Sequence, residues 1–275
     1  MTISDNEFDW LIGLLTQAGS QEIMPHFRRL ECGEITAKSN AADLVTIADV
    51  AAEKFITREL NARFPHAAII GEEAVSEDAN VLEKHDWEGL TFSVDPIDGT
   101  FNFASGAPIF GTMLAIVKDG ETIGGIIHDP VMKDTIYARQ GEGGFYKQAD
   151  GKEVKLKVSE PVSFGQMTGS VSWTGFEERL QAKIVANQTR NLNFFGYRCA
   201  AHDYRILATG MAHYLLYSRM MPWDHLAGTL IHTEAGGYSA RLDTSKYTPF
   251  TTDGGLLLTS NKDMWEEIRH ELWKD

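Results

Sequence analysis

The chain has 275 residues, with 25 Lys and Arg against 39 Asp and Glu, a formal net charge of −14. Its 43% hydrophobic content suffices for a full core and excludes a disordered chain, the charge argues against direct binding to nucleic-acid backbones, and two cysteines, Cys32 and Cys199, exclude a disulfide framework or a four-cysteine zinc site. No run approaches the roughly 18 apolar residues of a membrane span, and Met1 to Asp5 lacks the basic start of a secretory leader, so the expectation is a cytoplasmic protein that does not engage membranes.

Phe8, Leu11, Ile12 and Leu15 recur at helical spacing and predict a helix over 7–15. A short strand is expected over 34–38, then a long helix over 47–64 with Val50, Ala51, Phe55, Ile56 and Leu60 as its stripe and Pro65 after its end. Strands follow at 67–70, leading into Gly71-Glu72-Glu73, and at 91–94, ending at Asp95-Pro96. Segments 110–117, 122–127 and 135–139 read as successive antiparallel strands, with a turn at Lys118-Asp119-Gly120. The Gly-, Asp- and Lys-rich stretch 141–152 is the expected boundary between an α+β half, 1–150, and an α/β half, 151–275. Beyond it, helices are expected over 176–187, 200–209, 223–235 and 263–273, and strands at Val171, Phe194, 214–217 and 256–259.

The most informative stretch is Asp95-Pro96-Ile97-Asp98-Gly99-Thr100. Two carboxylates three residues apart flank a proline turn that can aim both at one point. Gly99 lets backbone amides approach a ligand closely, and a helix opening after it would offer free N–H groups to an anion. Read alone, the stretch serves equally well as an acidic turn with Asp98 as a helix cap. Asp43 to Asp49 before the long helix, Glu72 at a strand end and Trp223-Asp224 after Pro222 each also have a plain capping or solvated reading. Together they supply Asp49, Glu72, Asp95, Asp98 and Asp224. Two carboxylates ~4 Å apart repel by about 4 kcal/mol at an effective dielectric near 20, so such a cluster requires divalent cations. All-oxygen ligands suit Mg²⁺, Ca²⁺ or Mn²⁺.

Lys38 to Asp49 (KSNAADLVTIAD), Gly71-Glu72-Glu73, Asp95 to Phe103 (DPIDGTFNF), Gly125 to Pro130, Gly141 to Phe145, Trp223-Asp224 and Glu234 to Gly237 resemble, in order, the inositol monophosphatase family. The resemblance implies a layered αβαβα sandwich of the inositol monophosphatase and fructose-1,6-bisphosphatase type. It also implies Mg²⁺-dependent hydrolysis of a small phosphorylated alcohol and commonly a homodimer. Two to three Mg²⁺ ions are implied, with Mn²⁺ as a substitute and Li⁺ or Ca²⁺ as inhibitors. Glu72, Asp95 and the Ile97 carbonyl would hold one ion; Asp95, Asp98 and Asp224 a second; Glu72 would help a third through water. Asp49 and Thr100 would orient the attacking water, and the amides of Gly99 and Thr100 would bind phosphate. Lys38, Arg198, Ala200 and Tyr217 would face the substrate.

Inositol-specific relatives carry an acidic residue where this chain has Tyr217, and Gly-Thr-Ala or Gly-Ser-Ala where it reads Arg198-Cys199-Ala200. Tyr217 and Arg198 therefore suit a different alcohol, one with a second anionic group; Arg198 reads equally well as a surface or dimer-interface charge. Fructose 1,6-bisphosphate, histidinol phosphate and adenosine 3′,5′-bisphosphate are the alternatives to inositol monophosphate. A haloacid-dehalogenase-type phosphatase needs two Asp two positions apart, whereas Asp95 and Asp98 are three apart. A regulatory role in transcription or ribosome assembly is the reading from another class. No histidine is expected on a metal: His128 precedes a turn, His202 and His213 read as packing or substrate-side residues, and His225 and His232 lack the spacing of a zinc hydrolase.

Overall fold

The computed structural model describes residues 3–274. Ser4 and Glu7 form a reciprocal capping box at the start of α1 (Asp5–Ala18). One π-turn (Gly19–Ile23) and an irregular stretch lead to a hairpin of β1 (Ile35–Ala37) and β2 (Leu44–Thr46). Thr46 then caps α2 (Ile47–Arg63), with Asp49 reaching back to it.

The first sheet has seven strands in sequence order: β3 (Ala68–Gly71), β4 (Leu90–Asp98), β5 (Gly111–Lys118), β6 (Glu121–Asp129), β7 (Asp134–Arg139), β8 (Gly143–Lys147) and β9 (Glu153–Lys155). Only the β3–β4 pair is parallel. Short helices α3 (Glu72–Glu77) and α4 (Asn80–Glu83) follow β3, and α5 (Thr100–Ser105) follows β4. The second sheet runs β11-β10-β12-β14-β13, from β10 (Thr168–Ser172), β11 (Asn193–Phe195), β12 (Tyr214–Tyr217), β13 (Tyr238–Arg241) and β14 (Leu256–Thr259). Between these strands lie α6 (Glu178–Gln188), α7 (Ala200–Ala208) and α8 (Pro222–Glu234), and α9 (Lys262–Trp273) closes the chain.

Strand alternation sorts side chains into layers. Leu114, Ile116 and Ile126 face α1 and α2, where Leu11, Leu15, Ile56 and Leu60 are buried. Met113, Ala115, Val117 and Ile127 face the opposite side and pack with Tyr204, Leu207, Ala227 and Ile231 of α7 and α8. Leu215, Leu256 and Leu258 of the second sheet close this middle layer from beyond. Tyr214, Leu216 and Leu257, one residue out of phase, pack on Met264, Trp265, Ile268 and Leu272 of α9. The result is helix, sheet, helix, sheet, helix: the layered αβαβα sandwich expected.

Three features differ from the sequence expectation. Strand β4 does not stop at Pro96 but runs to Asp98. Residues 141–152 do not end the first sheet, since β8 lies within them and β9 after them, and the change of sheet falls after Lys155. Strand β13, the short helices α3 and α4 and the π-turn had no periodic signal long enough to read. No helix among the described residues is long and apolar enough to cross a membrane.

Candidate active site

Residues three apart on a regular strand face opposite sides of the sheet. Between Asp95↔Met113 and Asp98↔Gly111, β4 advances three residues while β5 advances two. This is a β-bulge, and it holds Pro96, which has no N–H for the ladder. The Pro96 carbonyl is satisfied instead by the Thr112 hydroxyl at 2.9 Å. The extra residue brings Asp95 and Asp98 to the same face. Each contributes a carboxylate oxygen to a group in which these and an Asp224 oxygen all lie within 4.8 Å of one another. Asp224 arrives from the first turn of α8, whose start is fixed by Pro222.

The turn after Asp98 requires glycine. Gly99 has φ +89°, and a Cβ there would sit 2.9 Å from the Ile109 carbonyl oxygen. Its left-handed conformation starts α5, placing the Thr100 hydroxyl 3.0 Å from Asp49 Oδ1 and 2.9 Å from the Ile97 carbonyl. Asp49 Oδ2 accepts from the Thr46 amide and hydroxyl at 2.8 and 2.5 Å. The capping and functional readings of Asp49 therefore coexist, one on each carboxylate oxygen.

Asp98 is held from the second half of the chain. Its Oδ2 accepts from the Ala201 amide at 2.5 Å and the Cys199 thiol at 3.0 Å, at the N-terminus of α7. Burial still pushes its carboxyl up to about 6 against these donors. Burial and the charges of Glu72 and Asp98 raise Asp95 and Asp224 well above the carboxylate range. Burial raises Asp49 to about 6 as well. Asp95 Oδ1 is fully buried and has no hydrogen-bond partner, in a group where each neighbour is another acid. Three carboxylates this close, one of them with a buried oxygen left unpartnered, are the arrangement a hard divalent cation satisfies, so the oxygen-only donor set fits Mg²⁺ or a similar ion.

Glu72 opens α3 and acts on this cluster by its charge. Its Oε1 is paired at 2.9 Å with Lys38, which also reaches Glu73 at 2.8 Å. Burial opposes the Lys38 charge, but the two glutamates hold the ammonium above the ordinary lysine range. Burial and Glu72 push Glu73 up to about 8 despite Lys38. Glu53 braces the assembly by accepting from the amides of Glu73 and Ala74 at 2.8 and 2.9 Å. Glu53 was not foreseen; its position four residues after Asp49 on one helix face was the available signal.

A cleft of about 660 Å³ opens over Glu72 and Asp224, with Lys38, Asn40, Arg219 and Trp223 among its walls. Arg219 was also missed in the sequence. Ala200 lies at the first turn of α7 beside Asp98. Two substrate-side expectations are placed elsewhere. Arg198, at φ +53°, lays its guanidinium 3.9 Å from the Phe101 ring centroid and reaches the Ala42 carbonyl at 3.3 Å. Tyr217 is buried, stacked near Tyr204 and His225, and donates to Asp203 Oδ2 at 3.2 Å. Neither lines the cleft, because ring stacking and burial satisfy them first. The five histidines bond Thr135, Phe110, Thr168, Tyr204 and Thr259 respectively.

The profile of the inositol monophosphatase family matches residues 8–275. The fructose-1,6-bisphosphatase/inositol-1-monophosphatase of Thermotoga maritima is 33% identical over 237 residues, covering 84% of this chain and 83% of the relative. The Nus factor SuhB of Xylella fastidiosa is 28% identical over 225 residues, covering 78% and 75%. A solved Thermotoga maritima IMPase superposes with a TM-score of 0.80 at 28% identity over 96% of each chain.

Proposed function

This chain belongs to the inositol monophosphatase family, and on that premise we propose that it is a Mg²⁺-dependent phosphomonoesterase that hydrolyses a small phosphorylated alcohol with water as the nucleophile. The observation that carries the reading is the convergence of carboxylate oxygens of Asp95, Asp98 and Asp224 within 4.8 Å of one another, with Asp95 Oδ1 buried and unpartnered. Asp95, Asp98 and Asp224 would hold one cation, and Asp95, Glu72 and the Ile97 carbonyl another. Divalent ions bound there supply positive charge that acidifies water and neutralises phosphoryl and leaving oxygens.

The chain's own residues do the positioning. Thr100 has one hydroxyl hydrogen, and Asp49 and the Ile97 carbonyl compete to accept it. The Thr100 lone pairs therefore remain to accept from a water and fix its direction. Asp49, held on its other oxygen by Thr46, keeps the hydroxyl so oriented. The amides of Gly99 and Thr100 would contact the phosphate, and Lys38 would remain on the cleft wall as the counter-ion of Glu72 and Glu73. The second half of the chain supplies Asp224 and the α7 N-terminus, so the two halves act as one site.

Phosphate release from inositol 1-phosphate, fructose 1,6-bisphosphate, histidinol phosphate and adenosine 3′,5′-bisphosphate, with and without Mg²⁺ and Li⁺, tests the proposal. Mg²⁺-dependent turnover of at least one supports it; no turnover of any at saturating Mg²⁺ overturns it. The likeness to a Nus factor favours one further reading, a regulatory role. Survival of a cellular phenotype in Asp95→Asn would separate that role from hydrolysis.

A further inference from the structure

Arg219 stands two residues past β12 and three before α8. It lines the same cleft as Glu72 and Asp224. Its side chain is exposed, and no hydrogen bond or ion pair joins its guanidinium to another described residue. The cleft's other cation, Lys38, is committed to Glu72 and Glu73, and Arg198 is folded onto Phe101. The chain beside Arg219 is tied down, since Ser218 Oγ accepts from the Gly175 amide at 3.2 Å, and Gly175 lies alongside the Arg219 stem. Arg219, Glu72 and Asp224 line one cleft, so a ligand seated there can meet the guanidinium and the acids together. In a chain with fourteen excess negative charges, an arginine held unpaired on the wall of an acidic cleft is poised for an anion from outside.

We propose that Arg219 binds a second phosphate of the substrate, distinct from the one hydrolysed, and so selects bisphosphorylated sugars or nucleosides over polyol monophosphates. The inference rests on the phosphomonoesterase reading of the same cleft. A guanidinium presents a planar fork that matches two phosphate oxygens, which a lone ammonium cannot do. Removing a charge-assisted hydrogen bond of this kind corresponds to a loss of about ten- to a hundredfold in binding.

The test compares wild type, Arg219→Gln and Arg219→Lys at saturating Mg²⁺ on three probes: fructose 1,6-bisphosphate, adenosine 3′,5′-bisphosphate and inositol 1-phosphate. Arg219→Gln should lower kcat/KM on the preferred bisphosphate by about ten- to a hundredfold, mainly through KM. That loss should exceed the loss on inositol 1-phosphate by at least tenfold, and Arg219→Lys should recover part of it. Which bisphosphate responds identifies the sugar or nucleoside class. Equal losses on all three probes would make Arg219 only a counter-charge to Asp224, and no loss on either bisphosphate would remove it from recognition; both overturn the inference. Failure of wild type to release phosphate from any probe would instead defeat the phosphomonoesterase reading.

Discussion

Replacing Asp95 with asparagine should stabilise the cation-free protein while removing its turnover. Asp95 is 1% exposed, and its oxygen lies within 4.8 Å of those of Asp98 and Asp224. At that distance each ionised pair repels by about 3.5 kcal/mol at an effective dielectric near 20. Two such pairs would total about 7 kcal/mol, but protonation limits the penalty. Protonating one carboxyl at pH 7, against the ordinary aspartate value of about 3.9, costs about 4 kcal/mol at about 1.36 kcal/mol per unit and so caps the penalty. The relief in Asp95→Asn is thus about 2–4 kcal/mol, since the new amide must also find acceptors, and Asp98 and Asp224 provide them. For a chain of this length that is a rise in Tm of roughly 4–7 °C. Calorimetry in EDTA should show it. In excess Mg²⁺ wild type should gain stability by mass action, and the variant should gain little, with phosphate release at background. A variant less stable than wild type in EDTA, or one that Mg²⁺ stabilises equally, would refute the clustered-charge account.

Thr100→Val keeps the volume and removes the hydroxyl, so kcat should fall by roughly 10²–10⁴-fold with KM little changed; steady-state kinetics showing near-normal kcat would exclude Thr100 from water orientation. Gly99→Ala must adopt φ +89° and bring a Cβ to 2.9 Å from the Ile109 carbonyl, costing about 2 kcal/mol or more, read as a lower urea midpoint together with lost activity. The pH dependence of stability should separate free from cation-loaded protein. Asp49 and Asp98 titrate near 6 and Glu73 near 8, all above their unfolded values. The folded chain thus retains protons that the unfolded chain has lost: stability falls with pH up to about 6 for the two aspartates and on to about 8 for Glu73, which carries the decline above about 6.5. The buried His128, His225 and His232, depressed to about 4, 3 and 4 by burial, act the other way, but only below about 6.5. Urea midpoints across pH 6.5–8.5 should therefore decline in EDTA and flatten in Mg²⁺; a rise with pH in EDTA would contradict the assignment.

Periodicity along the chain was enough to place α2, β5 to β7 and α7 to α9 within a few residues, because apolar spacing is a local property of the sequence. The acids were legible for the same reason: Asp95, Asp98 and Gly99 share one short segment, and Glu72 and Asp224 sit where a strand ends and a helix begins. The family likeness rested on these segments in their order, and the layered fold was what that likeness implied. What the residues alone left open was direction. Whether Asp95 and Asp98 share a face depends on one extra residue in the β4–β5 register, which only pairing with β5 determines. The donors that hold Asp98 come from 103 and 101 residues away. The aromatic at position 217 became core when the second sheet closed over α7 and α8. Arg198 lies over the Phe101 ring, whereas Arg219 lines the cleft. A side chain's neighbours across layers are set by packing between distant segments, and that information is not carried in any window of the sequence.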